Sequence, residues 1–337
     1  MDKGIPTIRE IACLVAMSIA MFATSPGAAD MQSASALELV RTIRLPDVRG
    51  RIDHLAVDAE GGRLFVAALG NDSVEVVDLR EATRVARMTG LHEPQGIAYV
   101  SSADRLFVAN AGGGVDMFEA STLRRISRIQ GLDDADNVRL DAARGKIYVG
   151  YGHGLAAIEA GSGKLLESIS LVGHPESFQL ETAGTRIFVN VPTAARIAVV
   201  DRSKRAVIGN WNIGEQRANF PMALDEADHR LFVATRKPAS LLIFDTEAGV
   251  RKTNLPIGSD ADDLFYDGKH KQLYVICGEG VVGVIQQKDA DHYERTAEVR
   301  TVRGARTGLF VPSRDALFVA IPAHVGGSAE IRVFSPR

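Results

Sequence analysis

The chain has 337 residues, is 46% hydrophobic and 24% charged, and sets 39 Lys and Arg against 42 Asp and Glu for a formal net charge of −3. That composition is globular; it excludes an acidic disordered tail and disfavours a protein built to track a nucleic-acid backbone. Thirty-two glycines with only 6% aromatics indicate a fold with many turns.

Residues 1–29 read as a secretory address. Lys3 and Arg9 flank the start of an apolar run from Ile11 to Phe22 that is too short to span a bilayer. Gly27 and Ala29 fit positions −3 and −1 of a cleavage site before Asp30, and a cut after Ala36 is the second option. The expected organisation is a signal peptide over 1–29 and one mature domain over 30–337, periplasmic or secreted, with no membrane span once the signal is removed. Cys13 falls inside the signal, so the mature chain keeps Cys277 alone. One cysteine permits neither an internal disulfide nor a Cys-based zinc site, and within Leu273 to Cys277 it reads as a small buried hydrophobe.

From there the chain repeats one unit, an aromatic-Val pair preceded by Leu or Ile. The copies are Leu64-Phe65-Val66, Leu106-Phe107-Val108, Ile147-Tyr148-Val149, Ile187-Phe188-Val189, Leu231-Phe232-Val233, Leu273-Tyr274-Val275 and Leu317-Phe318-Val319. Their aromatics are spaced by 42, 41, 40, 44, 42 and 44 residues. A period near 42 without helical periodicity is that of a four-stranded propeller blade. In the first copy Leu55 to Asp58, Arg63 to Ala67, Val74 to Asp78 and Arg84 to Met88 supply the four strands. The first three are largely apolar and the last alternates, as expected where inner strands are covered by neighbouring blades. Arg87, Arg128, Glu167 and Arg251 fall in fourth strands, where charge discourages edge pairing.

The turns Asp78-Leu79-Arg80, Glu159-Ala160-Gly161, Asp201-Arg202-Ser203 and Asp245-Thr246-Glu247 join third to fourth strands, each acid bonding its own backbone. Gly161-Ser162-Gly163-Lys164 belongs to such a hairpin: Ile158 and Leu165 stand where a phosphate loop needs Gly and Ser or Thr. Two basic clusters, Arg124-Arg125 with Arg128 and Arg202 with Lys204 and Arg205, read as solvated rim. The seventh copy stops at Glu330 to Phe334 with nothing left for a fourth strand. Leu39 to Leu45 reads as that strand. The predicted fold is an all-β, seven-bladed propeller of four-stranded antiparallel blades, closed by its N-terminal strand.

On these repeats, and on Phe107-Val108-Ala109-Asn110 in particular, the chain resembles the YVTN-repeat seven-bladed propellers of bacteria over residues 37–335. The resemblance implies a secreted or periplasmic protein and leaves the activity open. Related propellers include channel-centred metal-dependent lactonases and lyases, and amine dehydrogenase large subunits that carry no cofactor.

In a propeller, loops that enter first strands open at the central channel. Eleven residues before each anchor aromatic stand His54, Gly96, Asn137, Ser177, Pro221, Asp263 and Thr307; twelve before stand Asp53, Gln95, Asp136, Glu176, Phe220, Asp262 and Arg306. Across these loops eleven acids face five bases, so one face concentrates negative potential and favours a cation or a cationic small molecule over a phosphate backbone. His54, His92 and His174 add imidazoles. The candidate ligand site is Asp53, His54, Asp136, Asn137, Asp262 and Asp263, with Arg306 as counter-charge or carboxylate anchor. Within it His54, Asp136 and Asp263 are the candidate metal ligands, for Ca²⁺, Mg²⁺ or Mn²⁺ in the channel. Asn71, Asn110, His153, Arg236, Lys237 and His324 reach the same face from second-to-third strand loops.

The leading functional reading is a non-catalytic propeller that binds a small molecule or a protein at an acidic channel mouth. A channel-centred metal-dependent hydrolase or lyase is the alternative, and an accessory subunit of a periplasmic redox enzyme a further one. Substrate, partner and oligomeric state are not encoded in these patterns.

Overall fold

The structure, a computed structural model, describes residue 1 and residues 36–337, so the expected signal peptide lies outside the described residues. Seven four-stranded antiparallel sheets form a ring. Blade 1 comprises Leu55–Asp58, Arg63–Ala68, Ser73–Asp78 and Thr83–Met88, in chain order. Blades 2 to 6 repeat that order, starting from Pro94–Val100, Val138–Asp141, Phe178–Leu180, Arg217–Asp225 and Ala261–Asp267. First strands of neighbouring blades contact one another all the way round, blade 7 against blade 1 included.

Blade 7 is closed as expected. Gly308–Val311, Ala316–Ile321 and Glu330–Pro336 are followed outward by the N-terminal Leu37–Arg44, paired from Leu37 with Pro336 to Arg44 with Glu330. A register shift between Leu39 and Arg41 bends this strand, and the Leu45 amide continues the pairing by donating to the Ala329 carbonyl at 2.8 Å.

The recurring apolar triplet explains the stacking. Alternation along a strand sends its Leu or Ile and its Val to one face and its aromatic to the other. Phe65 therefore packs in one core with Leu106 and Val108 of blade 2, while Leu64 and Val66 pack with Phe318 of blade 7. The same exchange links every adjacent pair: Phe107 with Ile147, Tyr148 with Ile187, Phe188 with Leu231, Phe232 with Leu273, and Tyr274 with Leu317. One triplet thus serves two interfaces, and all seven copies have their Leu or Ile, aromatic and Val buried.

Three of the four turn acids behave as read: Asp78, Asp201 and Asp245 each accept two backbone N–H bonds from the residues just after them, whereas the Glu159 side chain accepts the Ser162 hydroxyl. Arg202 does not lie on a solvated rim. It is buried, reaches 2.7 Å to Asp141 of blade 3, and donates to the carbonyls of Glu181 and Gly184. Its charge is needed because Asp141 is itself buried at the end of a first strand. A second device invisible to periodicity is the Arg at the head of the repeat. Arg63, Arg186 and Arg230 each cross to the next blade and donate to a backbone carbonyl there, of Ala120, Thr246 and Ala290.

Candidate functional site

Because each first strand begins at the same end of the ring, the two columns of residues before the anchor aromatics arrive there from seven directions. They bound two cavities. The mouth, about 170 Å³, is lined by six of the seven residues of the outer column (Gln95, Asp136, Glu176, Phe220, Asp262 and Arg306), together with Arg51, Asp134, His174 and Arg236. The channel, about 350 Å³, is lined from all seven first strands and begins at His54, Gly96, Ser177 and Asp263 of the inner column. Gly96 is required by close approach: a Cβ there would run into the Asp136 carbonyl of the next blade.

Charge divides the mouth into two halves. On one side Arg51 lies 2.8 Å from Asp53 and 3.7 Å from Asp262, Arg236 lies 2.5 Å from Asp262, and Arg306 lies 3.2 Å from Asp262 and 3.0 Å from Asp260. The Arg236 guanidinium also sits 3.9 Å over the Phe220 ring, so the aromatic fixes its plane. Burial lifts Asp262 to about 6, with Asp53 adding to the rise and Arg236, Arg51 and Arg306 opposing it.

The other half holds Asp134, Asp136, His174 and Glu176. Asp136 is 7% exposed, and among the described residues its side chain accepts no hydrogen bond and has its nearest cationic atom, His54 Nε2, at 3.9 Å. Among the described residues the Glu176 side chain makes neither a hydrogen bond nor an ion pair. Burial and the neighbouring Asp53 raise Asp136 to about 6; burial, with Asp136 and Asp262 facing it, raises Glu176 to about 9. His174 Nδ1 donates to the Gly152 carbonyl at 3.1 Å and lies 3.4 Å from Asp134. That bond fixes the proton on Nδ1 of the neutral ring and leaves Nε2 with a lone pair.

Between the two cavities His54 joins three blades. Its Nδ1 is 3.4 Å from Asp263, and its Nε2 is 3.7 Å from Asp53 and 3.9 Å from Asp136. Burial by itself would lower this imidazole, but Asp263, Asp53 and Asp136 outweigh it and push the pKa up to about 10, so His54 is a cation at neutral pH. Asp263 also accepts the Gly308 N–H at 2.8 Å.

Of the residues expected at the site, Asp136, Asp262 and Arg306 line the mouth, and His54 and Asp263 line the channel. Asp53 and Asn137 are buried behind those walls, 1% and 3% exposed. His54, Asp136 and Asp263 are adjacent but do not converge on one point, because the two ring nitrogens face different carboxylates. Among the described residues two other groups of three bring one donor atom each within 4.8 Å of one another: Asp136, His174 and Glu176 at the mouth, and Asp267, His270 and Asp315. The second group is committed to turn structure. Asp267 accepts the Lys269 and His270 amides, His270 Nδ1 and the Tyr274 hydroxyl, and Asp315 pairs with Lys269.

His174, expected to add an imidazole, is at the mouth, and Arg51, Asp134, Glu176 and Arg236 complete it although the sequence did not single them out as ligands. Glu176 shares a column with Asp136 and was legible there; Arg51, Asp134 and His174 form a third column, each fourteen residues before its anchor aromatic, Phe65, Tyr148 and Phe188. Asn110 turns inward to its own hairpin, donating to Asp116.

No protein-family model and no curated protein matches the chain. Solved structures do. A chain of the mitotic checkpoint complex matches with a TM-score of 0.76 at 11% identity, over 96% of this chain and 99% of that one. A chain of Kuenenia stuttgartiensis hydrazine synthase matches with a TM-score of 0.70 at 17% identity, over 86% and 96%. At these identities the similarity is one of fold: a propeller scaffold, of a kind that serves many functions.

Proposed function

We propose that this protein is a non-catalytic, small-ligand-binding propeller whose mouth receives a cationic group between Asp136 and Glu176. One observation carries the reading: the arginines of the mouth are matched to Asp53, Asp260 and Asp262, while the Asp136 and Glu176 side chains face the cavity with no hydrogen bond among the described residues. Raised to about 9 by burial and by Asp136 and Asp262, Glu176 keeps its proton at neutral pH, and an arriving cation takes that proton's place between it and Asp136. Arg51, Arg236 and Arg306 then orient any carboxylate on the same ligand. A periplasmic or secreted location and membership of the YVTN-repeat propellers belong to this reading, supported by the pattern of residues 1–29 and by Phe107-Val108-Ala109-Asn110.

A second reading takes the cation to be a divalent metal. It is favoured by the donor atoms of Asp136, His174 and Glu176 lying within 4.8 Å of one another. Two carboxylates and one imidazole suit Mn²⁺, which accepts both donor types. A metal there would supply the Lewis acid that a hydrolase or lyase requires.

Thermal melting of the full-length protein with Mn²⁺, Mg²⁺, Ca²⁺ or amino-acid and amine ligands tests both. A ligand present at 100 times its dissociation constant stabilises by about 2.7 kcal/mol. Stabilisation by an amine or amino acid that disappears in Glu176→Gln supports the first reading; stabilisation by Mn²⁺ alone that disappears in His174→Ala supports the second. Identical shifts in wild type and both variants would refute the mouth as the site.

A further inference from the structure

The channel carries a feature that the mouth does not account for. Arg139, on the first strand of blade 3, lines the larger cavity, and among the described residues no carboxylate lies within ion-pair distance of its guanidinium. Its side-chain bonds are one to the Val138 carbonyl at 2.9 Å and one to the Ser177 hydroxyl at 3.4 Å, with the Phe178 ring 5.7 Å away. A guanidinium has five N–H donors, so most of them remain for a ligand.

The remaining charge of the channel is already balanced. Asp263 is neutralised by His54 on one side and bonded by the Gly308 amide on the other. The cavity therefore has one uncompensated positive charge, and a dianion would meet Asp263 across it. The rest of the wall carries the apolar side chains of Tyr99, Met222, Phe265 and Phe310, with Gln179 beside them donating to the Met222 carbonyl at 2.8 Å. At about 350 Å³ the space lies at the small end of ligand pockets.

We infer that the central channel is a second binding site, separate from the mouth, that takes a small monocarboxylate with an apolar body, its carboxylate on Arg139 and Ser177 and its body against Tyr99, Met222, Phe265 and Phe310. A planar carboxylate accepts two parallel N–H bonds from one guanidinium, which a neutral or cationic head cannot do. Burial lowers the Arg139 pKa, with Asp263 and Asp136 opposing the shift, and an anion beside it would favour the charged form further.

The test is calorimetric titration of the full-length protein with octanoate, phenylacetate, octan-1-ol and octylammonium, on wild type, Arg139→Met, Arg139→Lys and the mouth variant Glu176→Gln. At least one carboxylate should bind wild type tenfold or more tightly than octan-1-ol or octylammonium. Arg139→Met should lose tenfold or more of that affinity, Arg139→Lys should recover part of it, and Glu176→Gln should leave it unchanged. If Arg139→Met does not fold, Ser177→Ala replaces it, with an expected loss of two- to fivefold. Failure of both carboxylates to bind at millimolar concentration, equal affinity for octylammonium, or binding insensitive to both substitutions would overturn the inference. Sensitivity to Glu176→Gln in place of Arg139→Met would assign the carboxylate to the mouth and likewise overturn it.

Discussion

Leu37 and Pro336 face each other across one sheet, the first described strand of the ring paired with the last. Leu37, Ile43 and Leu45 are each at most 2% exposed, so the N-terminal strand contributes buried side chains as well as hydrogen bonds. Fully burying a Leu or Ile is worth about 1.5–3 kcal/mol, so deleting residues 30–46 should remove on the order of 5 kcal/mol and expose the edge of blade 7. Urea unfolding of the truncated and mature chains measures it; coincident transitions would show that the ring does not depend on its clasp.

Phe107 and Phe232 are fully buried between successive blades, in cores shared with Ile147 and Leu273. Replacement of either by Ala should cost about 3–5 kcal/mol, the sum of lost transfer energy and the cavity left behind. Chemical denaturation with an unchanged slope distinguishes this from a change in the unfolded chain.

The buried pair Arg202–Asp141 predicts an asymmetric result. Removing Arg202 leaves Asp141 with the more exposed Arg144 at 3.4 Å as its remaining ion-pair partner, and Arg202→Ala should cost about 3–5 kcal/mol. A double change to Arg202→Met with Asp141→Leu should recover much of that loss, because both buried charges are then absent. A double variant as unstable as the sum of the singles would place the energy in packing.

Cys277 is fully buried, and burial, with Glu279 nearby, pushes its thiol up to about 12. The thiolate is the reactive form, so iodoacetamide at pH 8 should leave the native protein unmodified while the urea-unfolded protein reacts. Mass spectrometry reads the difference, and rapid native alkylation would contradict the burial.

The repeat made the fold readable because one triplet, such as Leu64-Phe65-Val66, must satisfy two interfaces at once, and few residues do that. Counting back from the same aromatics found Asp136, Asp262, His54 and Asp263, since strands of equal rise deliver equal offsets to one end of the ring. Arg51 and His174 escaped that count because it stopped at twelve residues, and both stand fourteen before their anchors, Phe65 and Phe188. Arg202 was misread because a charged residue in a turn is ordinarily solvated, and only the neighbouring blade brings Asp141 to it. Arg139 gave no signal at all: alternation within a short polar-tolerant strand does not tell a channel-facing arginine from a solvent-facing one.

The central claim is that the acid half of the mouth is where a ligand's cation sits. An experimental structure of the protein purified from its own host measures this most directly. The account predicts density within hydrogen-bonding or coordination distance of Asp136 and Glu176. A ligand held only by Arg51, Arg236 and Arg306, with Asp136 and Glu176 contacting water alone, would contradict it.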